Sequence, residues 1–139
     1  MSGIPTVRIG SLTEHLLLTS KGGDGTAAVL IATLQLEGLT ATARVLGNDP
    51  IGFRDLAEFF EGLERDWRGW HDARSWESLE QNLTIEAGHE YGHVRLTVVV
   101  RHDRSDWDNE GWRAIGDITL EPGEQLSQVA RDVTALARG

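Results

Sequence analysis

No cysteine occurs in the 139 residues, so neither a disulfide framework nor thiolate chemistry is open to this chain. Small secreted domains often depend on such staples, and their absence sets the expectation of a cytoplasmic protein. The opening residues, Met1-Ser2-Gly3-Ile4-Pro5-Thr6-Val7-Arg8, show no basic segment leading into an apolar run, so no signal peptide is expected. Long apolar runs are missing too. Stretches such as Ala27–Ala32 and Leu96–Val100 are far too short to span a bilayer, and no membrane partner is expected. Basic residues are scarce: 13 Lys and Arg stand against 22 Asp and Glu, a net charge of −9. Phosphate neutralisation needs a basic patch, so this balance argues against nucleic acid. Long-range attraction favours a basic protein partner instead.

What is present belongs to a globular chain, with 40% hydrophobic and 25% charged residues. Its length suits one domain over residues 1–139 with one continuous core. Val7 and Ile9 alternate with polar neighbours, and Leu16–Leu18 is a short apolar run. Thr26–Leu36 and Leu39–Leu46 flank Glu37-Gly38, a pattern that predicts a hairpin. Asn48-Asp49-Pro50 predicts a helix start, with Asp49 as cap and Pro50 in the first turn. Leu56, Phe59, Phe60, Leu63 and Trp67 then share one helical face, and Gly69 ends the helix, with Trp70 folding back on it. Leu83–Ala87 and Val94–Val100 alternate about a turn at Gly88–Gly92, which predicts a second hairpin. Trp112–Leu120 reads as a strand, and Leu126, Val129, Ala130, Val133 and Leu136 form the stripe of a last helix. The expected fold is α+β, order ββββαβββα: an antiparallel sheet of six or seven strands with two amphipathic helices packed on it.

His89-Glu90-Tyr91-Gly92-His93 matches the zinc-protease pattern, in which two histidines one helical turn apart hold a metal and the glutamate activates its water. The pattern needs a helix. Here glycines bracket it and a period-two run follows, so His89 and His93 are expected to flank a turn, and no metal or other cofactor is expected. Glycines 22, 23 and 25 lack the lysine and hydroxyl of a phosphate loop and precede a strand. Asp103, Asp106, Asp108 and Glu110 fall short of an EF-hand, because Asp108 and Ala114 stand where glycine and glutamate belong.

Five tryptophans lie between positions 67 and 112. Trp67 and Trp76 are expected in the core. Trp107, among Asp106, Asp108 and Asn109, is a candidate anchor for a protein partner. The candidate binding residues are therefore Trp107, Asp103, Asp106 and Asp108, and no catalytic set is identified.

The second half carries Asp66-Trp67-Arg68-Gly69-Trp70, Trp76-Glu77-Ser78-Leu79-Glu80, Gly92-His93-Val94-Arg95-Leu96-Thr97-Val98 and Leu120-Glu121-Pro122-Gly123-Glu124-Gln125-Leu126. Over residues 50–139 this resembles a family of small bacterial domains of unknown function. Such domains are similar in size and make-up to immunity proteins of toxin systems. Together with the negative charge, small size and absence of a catalytic set, this leads to the expectation of a non-catalytic protein-binding module, one that neutralises a basic toxin or nuclease. Two other readings stay open: a small metal- or ligand-binding enzyme using His89, Glu90 and His93, and a structural homodimer.

Overall fold

The computed structural model describes residues 6–20, 28–48, 50–102 and 111–138. The first half runs β1 (Thr6–Gly10), β2 (His15–Ser20), β3 (Val29–Leu36), β4 (Leu39–Leu46) and α1 (Arg54–Arg65). The second runs β5 (Arg74–Glu77), β6 (Leu83–Glu90), β7 (His93–His102), β8 (Trp112–Leu120) and α2 (Glu124–Arg138). Each half is thus a four-stranded antiparallel meander followed by a helix, in order β1-β2-β3-β4 and β5-β6-β7-β8. The α+β class stands as read from the sequence. The single sheet of six or seven strands does not: there are two sheets of four. The unforeseen strand, β5, has four residues of which only Trp76 is buried, too few to show a period of two.

Alternation explains both hairpins. Leu30, Ala32 and Leu34 of β3 and Ala41, Ala43 and Val45 of β4 point to the core. Leu36 and Leu39 pair across Glu37-Gly38, and Glu90 and His93 pair across Tyr91-Gly92. Tyr91 and Gly92 both take positive φ, 51° and 77°, the two-residue turn whose twist suits a hairpin. In the second sheet Leu83, Ile85 and Ala87 of β6 join Val94, Leu96, Val98 and Val100 of β7 in the same apolar cluster. Burial of each leucine, isoleucine or valine here stabilises the fold by about 1.5–3 kcal/mol.

The two sheets meet where Leu36 of β3 lies over Gly116 of β8, so closely that a Cβ at 116 would collide with it. The helices pack on each other, α2 also touches β1, and α1 reaches β5. The predicted stripe of α2 is the buried one, Leu126, Val129, Ala130, Val133 and Leu136. Both helices and both sheets contribute to this one cluster.

Helix α1 begins later than the sequence predicts. Asn48 and Gly52 bridge each other, the Asn48 amide donating to the Gly52 carbonyl at 3.0 Å, and the chain turns before Arg54 starts the helix. Phe53 occupies the cap position with no side-chain cap bond, while Asp55 accepts the Leu56 amide at 3.0 Å and the Asn48 side chain at 3.0 Å. Pro50 therefore precedes the helix rather than opening it, and the expected cap Asp49 lies outside the described residues. The helix also ends early, at Arg65, so its apolar stripe stops before Trp67. That residue is 45% exposed and is not core, whereas Trp76 is buried at 8%. Among the described residues no helix is long and apolar enough to cross a membrane.

Candidate functional site

The hairpin geometry separates the two histidines of the zinc-like motif. In a strand successive side chains alternate, and directly opposed residues of a pair share a face. His89 is opposite buried Val94 and Glu90 is opposite His93, so His89 and His93 point to opposite faces of the second sheet. Their partners differ accordingly. His89 Nε2 donates to the Trp67 carbonyl at 3.1 Å, and His93 Nδ1 lies 3.0 Å from Glu121 Oε2. Among the described residues no group of three or more His, Asp or Glu is placed to hold a metal ion.

His89 instead helps to shape a cleft. Because β5 starts only at Arg74, paired with Ala87, the preceding chain from Gly69 to Ala73 leaves β6 uncovered beyond that point. The space above Gly88 forms a concavity of about 360 Å³, walled by Trp70, Asp72, Glu86, His89, Glu90 and Arg95. Gly88 forms its floor and has open space where a Cβ would stand.

The aromatic wall is fixed on every side. The Trp70 indole N–H donates to the Ala87 carbonyl at 3.2 Å. The His89 ring meets it edge-on, 5.2 Å between centroids. The Arg74 guanidinium lies 5.0 Å from the indole centroid, itself held by Asp66 at 2.9 Å and by the Gly62 carbonyl at 3.3 Å. Tryptophan stacked and hydrogen-bonded in this way keeps one orientation.

Charge in the cleft is predominantly negative. Arg95 is divided between Glu90, 3.3 Å, and Asp117, 3.2 Å. Thr97 donates to Asp117 at 2.8 Å, and this bond, with Arg95 behind it, holds the Asp117 carboxyl below the ordinary carboxylate range. Asp117 in turn raises the Arg95 pKa, chiefly through their hydrogen bond. Asp72 and Glu86 have no ion-pair partner among the described residues. The arrangement can therefore accept a cationic group whose stem lies against the indole.

Of the residues singled out in the sequence, His89 and Glu90 line this cleft and His93 does not. Asp103, Asp106, Trp107 and Asp108 lie outside the described residues. Trp70, Asp72 and Glu86 were not among the sequence candidates; the glycine before Trp70 and the two glutamates sharing the outward face of β6, Glu86 and Glu90, were the available signals.

No curated protein and no solved structure matches this chain. A family model described as a family of unknown function does match, over residues 8–139. The chain belongs to that family, DUF6228.

Proposed function

We propose that this protein is a non-catalytic protein-binding module of the immunity type, which receives a basic side chain of its partner in the cleft beside Trp70. One observation carries the reading. Two carboxylates without ion-pair partners among the described residues, Asp72 and Glu86, face a concavity whose aromatic wall is already immobilised. A preset wall lowers the entropic cost of binding, and an unneutralised pair of acids rewards a cation that displaces water there. The stem of an arginine or lysine fits against the indole while its head meets the acids. The surplus negative charge of the whole chain adds steering over distances up to about a Debye length, near 10 Å at 0.1 M salt.

Trp107 with Asp103, Asp106 and Asp108 enters the proposal on sequence grounds as a second contact. Neutralisation of a basic toxin or nuclease is the role such a module would serve. Affinity purification at low salt tests the reading: a basic protein retained in equal stoichiometry by the wild type, and lost from an Asp72→Lys, Glu86→Lys variant, is expected. Equal retention by the variant contradicts it.

A further inference from the structure

We infer that the free edge of β4 is a self-association surface, on which a second copy of this chain adds its own β4 antiparallel across a two-fold axis at Ala41. Among the described residues β4 ends its sheet, with β3 on one side and no strand on the other. Two contacts fix which of its backbone groups face outward. The Gly47 amide donates to the Ala28 carbonyl at 2.9 Å, so the residues in step with Gly47, namely Val45, Ala43 and Ala41, bond to β3. The Arg44 carbonyl points the other way, where the Asn82 side-chain amide donates to it at 2.6 Å. Thr40 and Thr42 are in step with Arg44, so the backbone N–H and C=O of both face the free edge. Neither threonine has a backbone partner there among the described residues.

The edge lacks the devices that keep strands apart. Natural edges are guarded by lysine, proline, bulges or shortness. β4 has eight residues in unbroken register with β3, no proline, and Arg44 as its one charge. Its threonine hydroxyls bond within their own sheet, Thr42 to Thr33 at 3.1 Å and Thr40 to Gln35 at 2.9 Å. On the core side Leu39 is half-buried, and Ala41 and Ala43 keep 8% and 7% exposure where Val45 keeps none. These residues leave a thin apolar margin along the open backbone.

Symmetry and charge select a second copy as the occupant. Thr40-Ala41-Thr42 reads the same in both directions. A two-fold axis through Ala41 sets Thr40 opposite the partner's Thr42, each such pair exchanging both its backbone hydrogen bonds, and leaves the bond from Asn82 to Arg44 intact. The same register sets Arg44 opposite the partner's Gly38, within reach of the partner's Glu37. Both side chains are exposed, and neither has an ion-pair partner among the described residues. The axis thus creates an Arg44–Glu37 pair on each of its sides. No Asp or Glu occurs in β1, β2, β3 or β4, so two chains of net charge −9 meet here with less repulsion than their overall charge gives. The edge is independent of the Trp70 cleft and of the role proposed for it.

Sedimentation velocity of the full chain, at concentrations rising to about 1 mM where even weak pairing is populated, tests the inference. A reversible monomer–dimer equilibrium is expected. Thr42→Pro removes an edge amide that β3 does not use, so it is expected to abolish the dimer while the chain still folds. Arg44→Glu is expected to weaken dimerisation about tenfold or more, because like charges then face each other on both sides of the axis. Adding Glu37→Arg to that variant is expected to restore it, and this charge swap decides the matter if Thr42→Pro unfolds the chain. A monomer at every concentration, a dimer that a folded Thr42→Pro variant leaves unchanged, or a double variant no tighter than Arg44→Glu alone overturns the inference.

Discussion

His89 and His93 are four residues apart, yet they face opposite sides of the second sheet, because a two-residue turn at Tyr91-Gly92 separates their strands. On a helix the same spacing would bring both rings to one metal. The expected outcome is that the purified protein, incubated with zinc and desalted, retains no stoichiometric zinc by elemental analysis. Zinc at one equivalent, lost on His89→Ala, would contradict the hairpin geometry.

The two tryptophans that the sequence assigned to the core give a second test. Trp76→Ala removes a buried side chain and is expected to lower stability by about 3–5 kcal/mol in urea unfolding. Trp67→Ala, on a side chain lying beyond the helix end, is expected to cost less than about 1 kcal/mol. Equal losses would place Trp67 in the core after all.

Contact between the sheets rests on a missing side chain. Leu36 occupies the volume that a Cβ at position 116 would need, so Gly116→Ala forces Leu36 aside. The expected cost is about 1–3 kcal/mol, the range for overpacked cores, measured by the same unfolding. A neutral or stabilising substitution would show that the half-buried Leu36 side chain swings aside without loss of packing.

Among the described residues, Asp117 is an assignable source of acid sensitivity. Asp117 is held below its ordinary value of 3.8 by the Thr97 hydroxyl first and by Arg95 next. A carboxyl whose pKa is depressed by folding stabilises the protein above its unfolded value and loses that contribution as pH falls through the folded one. The side chain is 48% exposed, so solvent screening keeps the effect under about 1 kcal/mol. Asp117→Asn is expected to reduce stability at neutral pH slightly and to flatten the fall in stability below about pH 4. An unchanged acid slope in the variant would assign that slope to other carboxyls.

How much of this was legible in the sequence depends on the range of the interaction concerned. The hairpins at Gly38 and Gly92 and the stripe of α2 are local patterns, and they appear where periodicity puts them. The start of α1 misleads because Asn48 bonds to Gly52 before the helix begins, a local competition that capping rules do not weigh. The division into two sheets is invisible because it depends on long-range meetings, such as Leu36 on Gly116 and Asn82 on the Arg44 carbonyl. The Trp70 cleft is harder still. It gathers Asp72 from the approach to β5, Glu86 from β6 and Arg95 from β7, and no spacing within any one segment announces it.

The central claim is that the acids beside Trp70 engage a basic partner. The most direct test is calorimetric affinity for the partner recovered by affinity purification, comparing wild type with the Asp72→Lys, Glu86→Lys variant at low salt. Both positions are exposed, and unfolding curves of the two proteins are expected to coincide. The account predicts that the variant binds at least tenfold more weakly, as reversal of close charge pairs does. Undiminished affinity in a folded variant would contradict it.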